Sequence, residues 1–192
     1  MNFKHLLCIL VLGLSTVASA QKYKSAPTST ITKDWQEIVF TSGKSLKENL
    51  AQSPSFSFMT EILNDEVLAK QLRKQEMVTV FVANDASFLA LDKATRDALL
   101  ADTPRLSQLV KFHTIPGRVD SDAIEKAIST SGGIAYFITL NGKKLAATQK
   151  EGVLTLSDDQ GNTAIIKDTD FYHKNGFFHM VEGFAFATEK KE

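Results

Sequence analysis

The chain has 192 residues, 43% of them hydrophobic, with 22 basic and 22 acidic side chains and a single cysteine. That size fits one globular domain plus a short extra segment. Zero formal charge argues against nucleic acid or anionic lipid as the main partner, since both require a concentrated excess of Lys and Arg, and the composition excludes collagen, coiled coil and wholesale disorder.

At the N-terminus, Lys4 precedes an apolar run from Leu6 to Leu14, and Val17-Ala18-Ser19-Ala20 places small residues where a signal peptidase reads. Residues 1–20 are therefore expected to be a signal peptide cleaved after Ala20, which makes the product secreted or periplasmic. The run is too short for a bilayer of about 30 Å, which needs about 20 apolar residues, so no transmembrane anchor is expected. Bulky Leu6-Leu7 ahead of Cys8 disfavour a lipoprotein cut. Cleavage leaves 172 residues without cysteine. Thiol chemistry and disulfides are then excluded, and the core alone must hold a domain that buries roughly 70% of its unfolded surface. No Asn-x-Ser/Thr sequon occurs, and the C-terminal tail Glu189-Lys190-Lys191-Glu192 is charged where a lipid-anchor signal would be apolar. Both absences fit a bacterial exported protein.

Residues 21–43 are expected to form an N-terminal lead segment: Gln21 to Lys33 is polar and without hydrophobic period, and reads as a flexible connection. Trp35, Ile38, Val39 and Phe40 then restore apolar character, either packing on the domain or forming an outward strip. Ser45-x-x-Glu48 is a capping box, and Ser53-Pro54 starts another helix whose Phe58, Met59, Ile62 and Leu63 form one inward stripe. Thr79-Val80-Phe81-Val82-Ala83 suits a strand buried on both faces, and Asn84 caps the helix after it. Asp102-Thr103-Pro104 opens a helix with Leu106, Leu109, Val110 and His113 on one face, ended by Pro116-Gly117. Asp120-Ser121-Asp122 opens the last helix, which stops before Gly132-Gly133.

The final third changes period from 3.6 to 2. Ile134–Leu140, Lys143–Thr148, Val153–Leu156, Ala164–Lys167 and Phe177–Val181 read as strands, with Asn141-Gly142 and Asn175-Gly176 among the turns between them. Helices followed by an antiparallel meander make an α+β domain.

A search for chemistry returns little. Gly43-Lys44-Ser45 lacks the first glycine of a phosphate loop, that position being Ile38, and no nucleophile elbow, zinc helix or dinucleotide fingerprint occurs. Asp168-Thr169-Asp170 fails as a calcium loop because His173 and His179 stand where Gly and Glu are needed. His113, His173 and His179, the histidines left after cleavage, are separated by elements with no predicted convergence, so His113 is expected to be a buried residue joining helix to sheet. Catalytic, cofactor-binding and metal residues are therefore expected to be none, and the chain is expected not to be an enzyme.

Thr79–Phe88 resembles the first signature of the fasciclin (FAS1, βig-h3) domain family. Leu109–Gly117 resembles its Tyr-His helix and turn, Thr139–Gly142 its Thr-Leu-Asn-Gly hairpin, and Asn175–Glu182 its closing Asn-Gly strand. The order and spacing agree over residues 44–188. Ala83, Asn84 and Phe112 depart from the usual Pro, Thr and Tyr, and no Arg-Gly-Asp tripeptide occurs. The resemblance implies a wedge of β-sheet with a layer of helices, used in extracellular adhesion and matrix or surface interaction without a common catalytic site. The expected function is a non-enzymatic exported binding module whose partner is a surface protein or a polysaccharide. Because some family members bind carotenoids, a carrier of an apolar small molecule is the alternative, motivated by Phe171, Phe177, Phe178, Phe184 and Phe186 crowding near the C-terminus.

Overall fold

The computed structural model describes residues 29–186. The expected signal peptide, its cleavage site after Ala20, Cys8 and the charged tail 189–192 lie outside the described residues, as do residues 21–28 of the expected lead. The rest of that lead is a β-hairpin, in which β1 (Thr32–Trp35) pairs antiparallel with β2 (Ile38–Thr41). Phe40 is fully buried there, packing edge-on against Phe171 and Phe178 at 5.3 Å from each. Lys33, which a polar-segment reading assigns to a flexible connection, lies within β1 because its ammonium is anchored on the Thr169 carbonyl at 2.6 Å and sits over the Phe171 ring.

The helical part follows its capping signals. Both halves of the capping box are present at Ser45 and Glu48, ahead of α1 (Leu46–Leu50). A single 3-10 turn at Pro54–Phe56 leads into α2 (Ser57–Ile62), and Asp65 caps α3 (Glu66–Arg73). β3 (Val78–Ala83) is buried at every residue, as a β-branched and aromatic run without alternation requires. Asn84 then caps α4 (Asp85–Leu89), Asp92 caps α5 (Lys93–Ala101), and Asp102 with Pro104 starts α6 (Thr103–Phe112). After the short β4 (Thr114–Pro116), Asp120 caps α7 (Ser121–Thr130).

The remaining strands are β5 (Ile134–Ile138), β6 (Lys144–Lys150), β7 (Val153–Ser157), β8 (Thr163–His173) and β9 (Gly176–Gly183). They run as the expected antiparallel meander, but the sheet they belong to has seven strands in the order β4-β3-β9-β8-β7-β6-β5, with β9 parallel to β3. Its two ends meet at one corner, where the Leu140 N–H donates to the Thr114 carbonyl at 2.9 Å. The α+β class holds; the parallel pair is what the meander reading omits.

β8 is also longer than the strand expected to end at Lys167. Its register against β9 slips between Ile166 and Asp168 and again between Asp168 and Phe171, and Asp170 adopts φ 60°. Such bulges break the period-2 pattern while the strand continues beyond them.

Gly176 marks the tightest point of the sheet. It lies opposite Val78 at the start of the parallel pair, at φ 149°, and an added Cβ would stand 1.8 Å from the Val78 carbonyl oxygen. Gly142 also has positive φ, 78°, yet nothing lies within 4 Å of its Cβ position. Gly142→Ala is expected to cost about 1–2 kcal/mol, the price of a left-handed alanine. Gly176→Ala must push two strands apart and is expected to cost more than about 4 kcal/mol or to abolish folding. Urea denaturation of the two variants side by side tests the difference, and equal midpoints would refute the close approach.

Candidate functional site

The polar residues of the first signature are engaged within the fold. The Asn84 carboxamide oxygen accepts from the Ser87 N–H at 3.0 Å and the Ser87 hydroxyl at 2.8 Å, and that hydroxyl accepts from the Gly183 N–H at 2.9 Å. Asn84 thus starts α4, and Ser87, which it holds, ties that helix to the end of β9. Asp85 accepts from the N–H groups of Ser57 and Phe58, at 3.1 Å each, and so starts α2 from a different segment. Thr79, buried on β3, donates to the Gly117 carbonyl at 3.0 Å and accepts from the Val119 N–H at 2.8 Å, fixing the chain that follows β4.

The three histidines are buried and each holds a backbone carbonyl. His113 follows α6 directly, and its Nδ1 donates to the Phe81 carbonyl on β3 at 3.2 Å, so helix and sheet are joined as expected. His173 Nε2 donates to the Phe177 carbonyl at 3.1 Å across the β8–β9 turn. His179 Nε2 donates to the Val119 carbonyl at 2.9 Å, while its Nδ1 accepts from the Asp170 N–H at 3.2 Å. A carbonyl can only accept, so these bonds fix the neutral tautomer of each ring. Burial, the dominant cause, lowers the pKa of His113 and of His173 to about 4, against the opposing pull of the carbonyl each one bonds. Burial likewise lowers His179, outweighing the Val119 carbonyl and the nearby Asp170 carboxylate.

Asp170 completes this corner. Its carboxylate accepts from the Ser121 N–H at 2.8 Å and from the Ser121 hydroxyl, at the start of α7. Burial pushes its pKa up, but the hydrogen bonds from the Ser121 hydroxyl and N–H outweigh that and hold it below the usual carboxylate range. The His179 Nδ1 lies 3.9 Å from this carboxylate but carries the lone pair that accepts the Asp170 N–H, so the pair orders the bulge rather than moving a proton toward an open cleft. Among the described residues no group of three or more His, Cys, Asp or Glu side chains is placed to hold a metal ion.

Among the described residues, two surfaces stand apart from this scaffold. On the helical side, α2, α3, α5 and α6 leave an open groove of about 590 Å³, floored by Ile62, Leu68 and Leu106, walled by Phe58 and Leu100, with Glu61, Asn64, Asp65, Thr103 and Ser107 also lining it. Phe58 is held there by stacking on buried Phe88, ring centres 4.9 Å apart. The inward stripe read from Phe58 and Ile62 pointed at this place without showing that it stays open. The C-terminal phenylalanines do not line it. Phe171, Phe177, Phe178 and Phe184 are core residues, and Phe186 packs against buried Phe112, which at 2% exposure presents no ring to a partner. The second surface is the outer face of β5 to β8, where Ile134, Tyr136, Ile138, Val153 and Ile165 are exposed.

The sequence profile of the fasciclin domain matches residues 54–184. Human periostin is 22% identical over 155 residues, covering 81% of this chain and 17% of periostin. The pig transforming growth factor-beta-induced protein ig-h3 is 24% identical over 129 residues, covering 66% of this chain and 17% of that protein. The chain therefore spans about a sixth of the length of these curated relatives. A FAS1 domain pair from the insect cell adhesion molecule fasciclin I superposes with a TM-score of 0.55 at 20% identity, over 66% of this chain and 43% of that one. No helix among the described residues is long and apolar enough to cross a membrane.

The neutral histidines dictate a pH dependence. A ring whose pKa falls on folding favours the unfolded chain wherever only the unfolded form takes the proton. For His113 and His173 that window runs from the ordinary 6.5 down to about 4. Stability is expected to be greatest above it and to fall with falling pH, by on the order of 3 kcal/mol per histidine at the lower limit. Urea midpoints measured from pH 7.5 to 4 check this, and His113→Gln is expected to flatten the slope at some cost in stability. A midpoint independent of pH would mean that these rings charge freely in the folded chain.

Proposed function

The chain belongs to the fasciclin-domain family, and from that premise we propose that it is a non-enzymatic, exported binding module that attaches to a cell surface or extracellular matrix. The carrying observation is the outer sheet face, where Tyr136 is 62% and Ile138 54% exposed on β5. Contiguous apolar exposure of this kind marks interaction surfaces. Support comes also from the insect relative, the cell adhesion molecule fasciclin I, and from polar side chains that serve the scaffold. Its partner is a surface protein or a polysaccharide. With zero net charge, single contacts gain little from steering, so clustering or a repetitive ligand raises the useful affinity. Purified protein lacking residues 1–20 is expected to bind envelopes of its parent cells saturably, more tightly when clustered on beads. A lack of saturable binding in both formats defeats this reading.

The groove favours one second reading, carriage of an apolar small molecule, since a concave site with an apolar floor and a few polar groups on its rim is the usual form of such sites. This reading shifts the candidate from the C-terminal phenylalanines to Phe58, Leu100 and Leu106. Leu106→Trp is expected to fill the groove and displace any lipid or pigment carried by protein purified from its native host, read by solvent extraction and absorption spectrum. A lipid-free, colourless wild-type preparation removes the support.

A further inference from the structure

β5 is one edge of the seven-stranded sheet, and its backbone groups can be sorted by the side they face. The Thr139 N–H donates to the Lys143 carbonyl at 2.9 Å, one step beyond the Ile138–Lys144 pair of the β5–β6 ladder. Hydrogen-bonded and non-hydrogen-bonded pairs alternate along antiparallel strands, so Ala135, Phe137 and Thr139 turn their N–H and C=O groups toward β6. Those of Ile134, Tyr136 and Ile138 point away from it. Leu140 follows the same alternation, its N–H crossing the open side to the Thr114 carbonyl at 2.9 Å. Among the described residues, nothing hydrogen-bonds to the outward groups of Ile134, Tyr136 and Ile138.

The edge is also undefended. Sheets commonly guard an edge strand with charge, Pro, a bulge or brevity. The opposite edge does so, since β4 is three residues long and ends on Pro116. Ile134-Ala135-Tyr136-Phe137-Ile138 contains no charge, no Pro and no Gly, and its register against β6 is unbroken. The residues with outward backbone groups also carry exposed apolar side chains, and their order, Ile-Tyr-Ile, reads the same in both directions.

That symmetry selects the occupant. Antiparallel pairing about a twofold axis at Tyr136 sets Tyr136 opposite its own copy and Ile134 opposite Ile138 of the partner subunit. Each such pair exchanges two N–H···O=C bonds and brings apolar side chains together on one face. We propose that two copies of this chain join edge to edge through β5, so that their sheets run on as one. Each copy uses up its open edge in the contact, and the association therefore closes at a dimer. A strand from a different protein would satisfy the backbone equally but gains nothing from the symmetric order of side chains. The contact is short, so the dimer is weak and forms as concentration rises. The proposal stands independently of the adhesive reading, to which a pair would add two outer faces side by side.

Sedimentation equilibrium of the protein lacking residues 1–20, from micromolar to millimolar concentration, tests this. The mass is expected to rise from that of a monomer toward twice that value. Tyr136→Lys sets like charges opposite each other at the axis and is expected to weaken association by roughly tenfold. Tyr136→Pro removes an outward N–H, a change that an edge strand tolerates, and is expected to act in the same direction. Ile138→Glu, which Lys144 opposite on β6 accommodates, is expected to weaken pairing, and the addition of Ile134→Lys to restore it. Within one strand these two positions lie roughly 13 Å apart, so only the proposed register brings them together. Melting temperatures near that of the parent check that each variant folds. A parent that stays monomeric to millimolar concentration, a dimer untouched by both Tyr136 variants, or a double variant no better than Ile138→Glu alone would overturn the proposal.

Discussion

The architecture depends on one close approach, that of β9 to β3 at Gly176 and Val78. Two backbones meet there with no room for a side chain, and the parallel ladder that starts at this point makes β9 a central strand. From β9 the ring of His179 stacks on Phe81, 5.4 Å between centres, and reaches across to the Val119 carbonyl. Phe178, on the same strand, faces Phe40 and Phe171. A displacement of β9 by the width of one methyl group would disturb the aromatic core, the histidine bridges and the anchoring of the hairpin together.

A second hub is the bulged stretch of β8. Asp168 accepts from the Trp35 indole at 3.1 Å, the Thr169 carbonyl accepts from Lys33, and Asp170 caps α7. Three consecutive residues thus fasten the N-terminal hairpin and the last helix to the sheet. Together with three carbonyl-bound imidazoles, they do by hydrogen bonding what disulfides do in many exported domains. Neutral histidine suits this role, because a buried cation would need a counter-charge while a neutral ring has a single N–H to place on an acceptor; its bare nitrogen accepts the Asp170 N–H in His179 and is buried without a partner in His113 and His173.

Much of this fold is legible in the sequence, and the reasons differ by element. Capping residues are local, so Ser45, Asn84, Asp102 and Asp120 mark helix starts correctly. β3 declares itself by a run with no polar face. The second half of β8 is hidden because Asp168-Thr169-Asp170 interrupts the alternation that identifies a strand, and Asp170 takes a conformation uncommon outside glycine. β1 is hidden because Lys33 reads as linker until the Phe171 ring and the Thr169 carbonyl, more than 130 residues away, supply its partners. Asn175-Gly176 was legible as a turn, but the decisive property of Gly176, its lack of a Cβ facing β3, belongs to the parallel pairing and leaves no local trace. The groove and the exposed outer face of β5 to β8 share that limit. Each is a relation between elements, visible only once the strand register and the helix packing are known.

The same pairing carries a kinetic consequence. β3 cannot be covered on its β9 side until a strand nearly a hundred residues further along has been made, and closing so long a loop is slow compared with forming local hairpins and helices. Until then the apolar run Val78–Ala83 is open to other chains, the kind of segment that seeds aggregation. The interval between making β3 and making β9 is thus the stage of folding at which this chain leaves its most apolar strand uncovered.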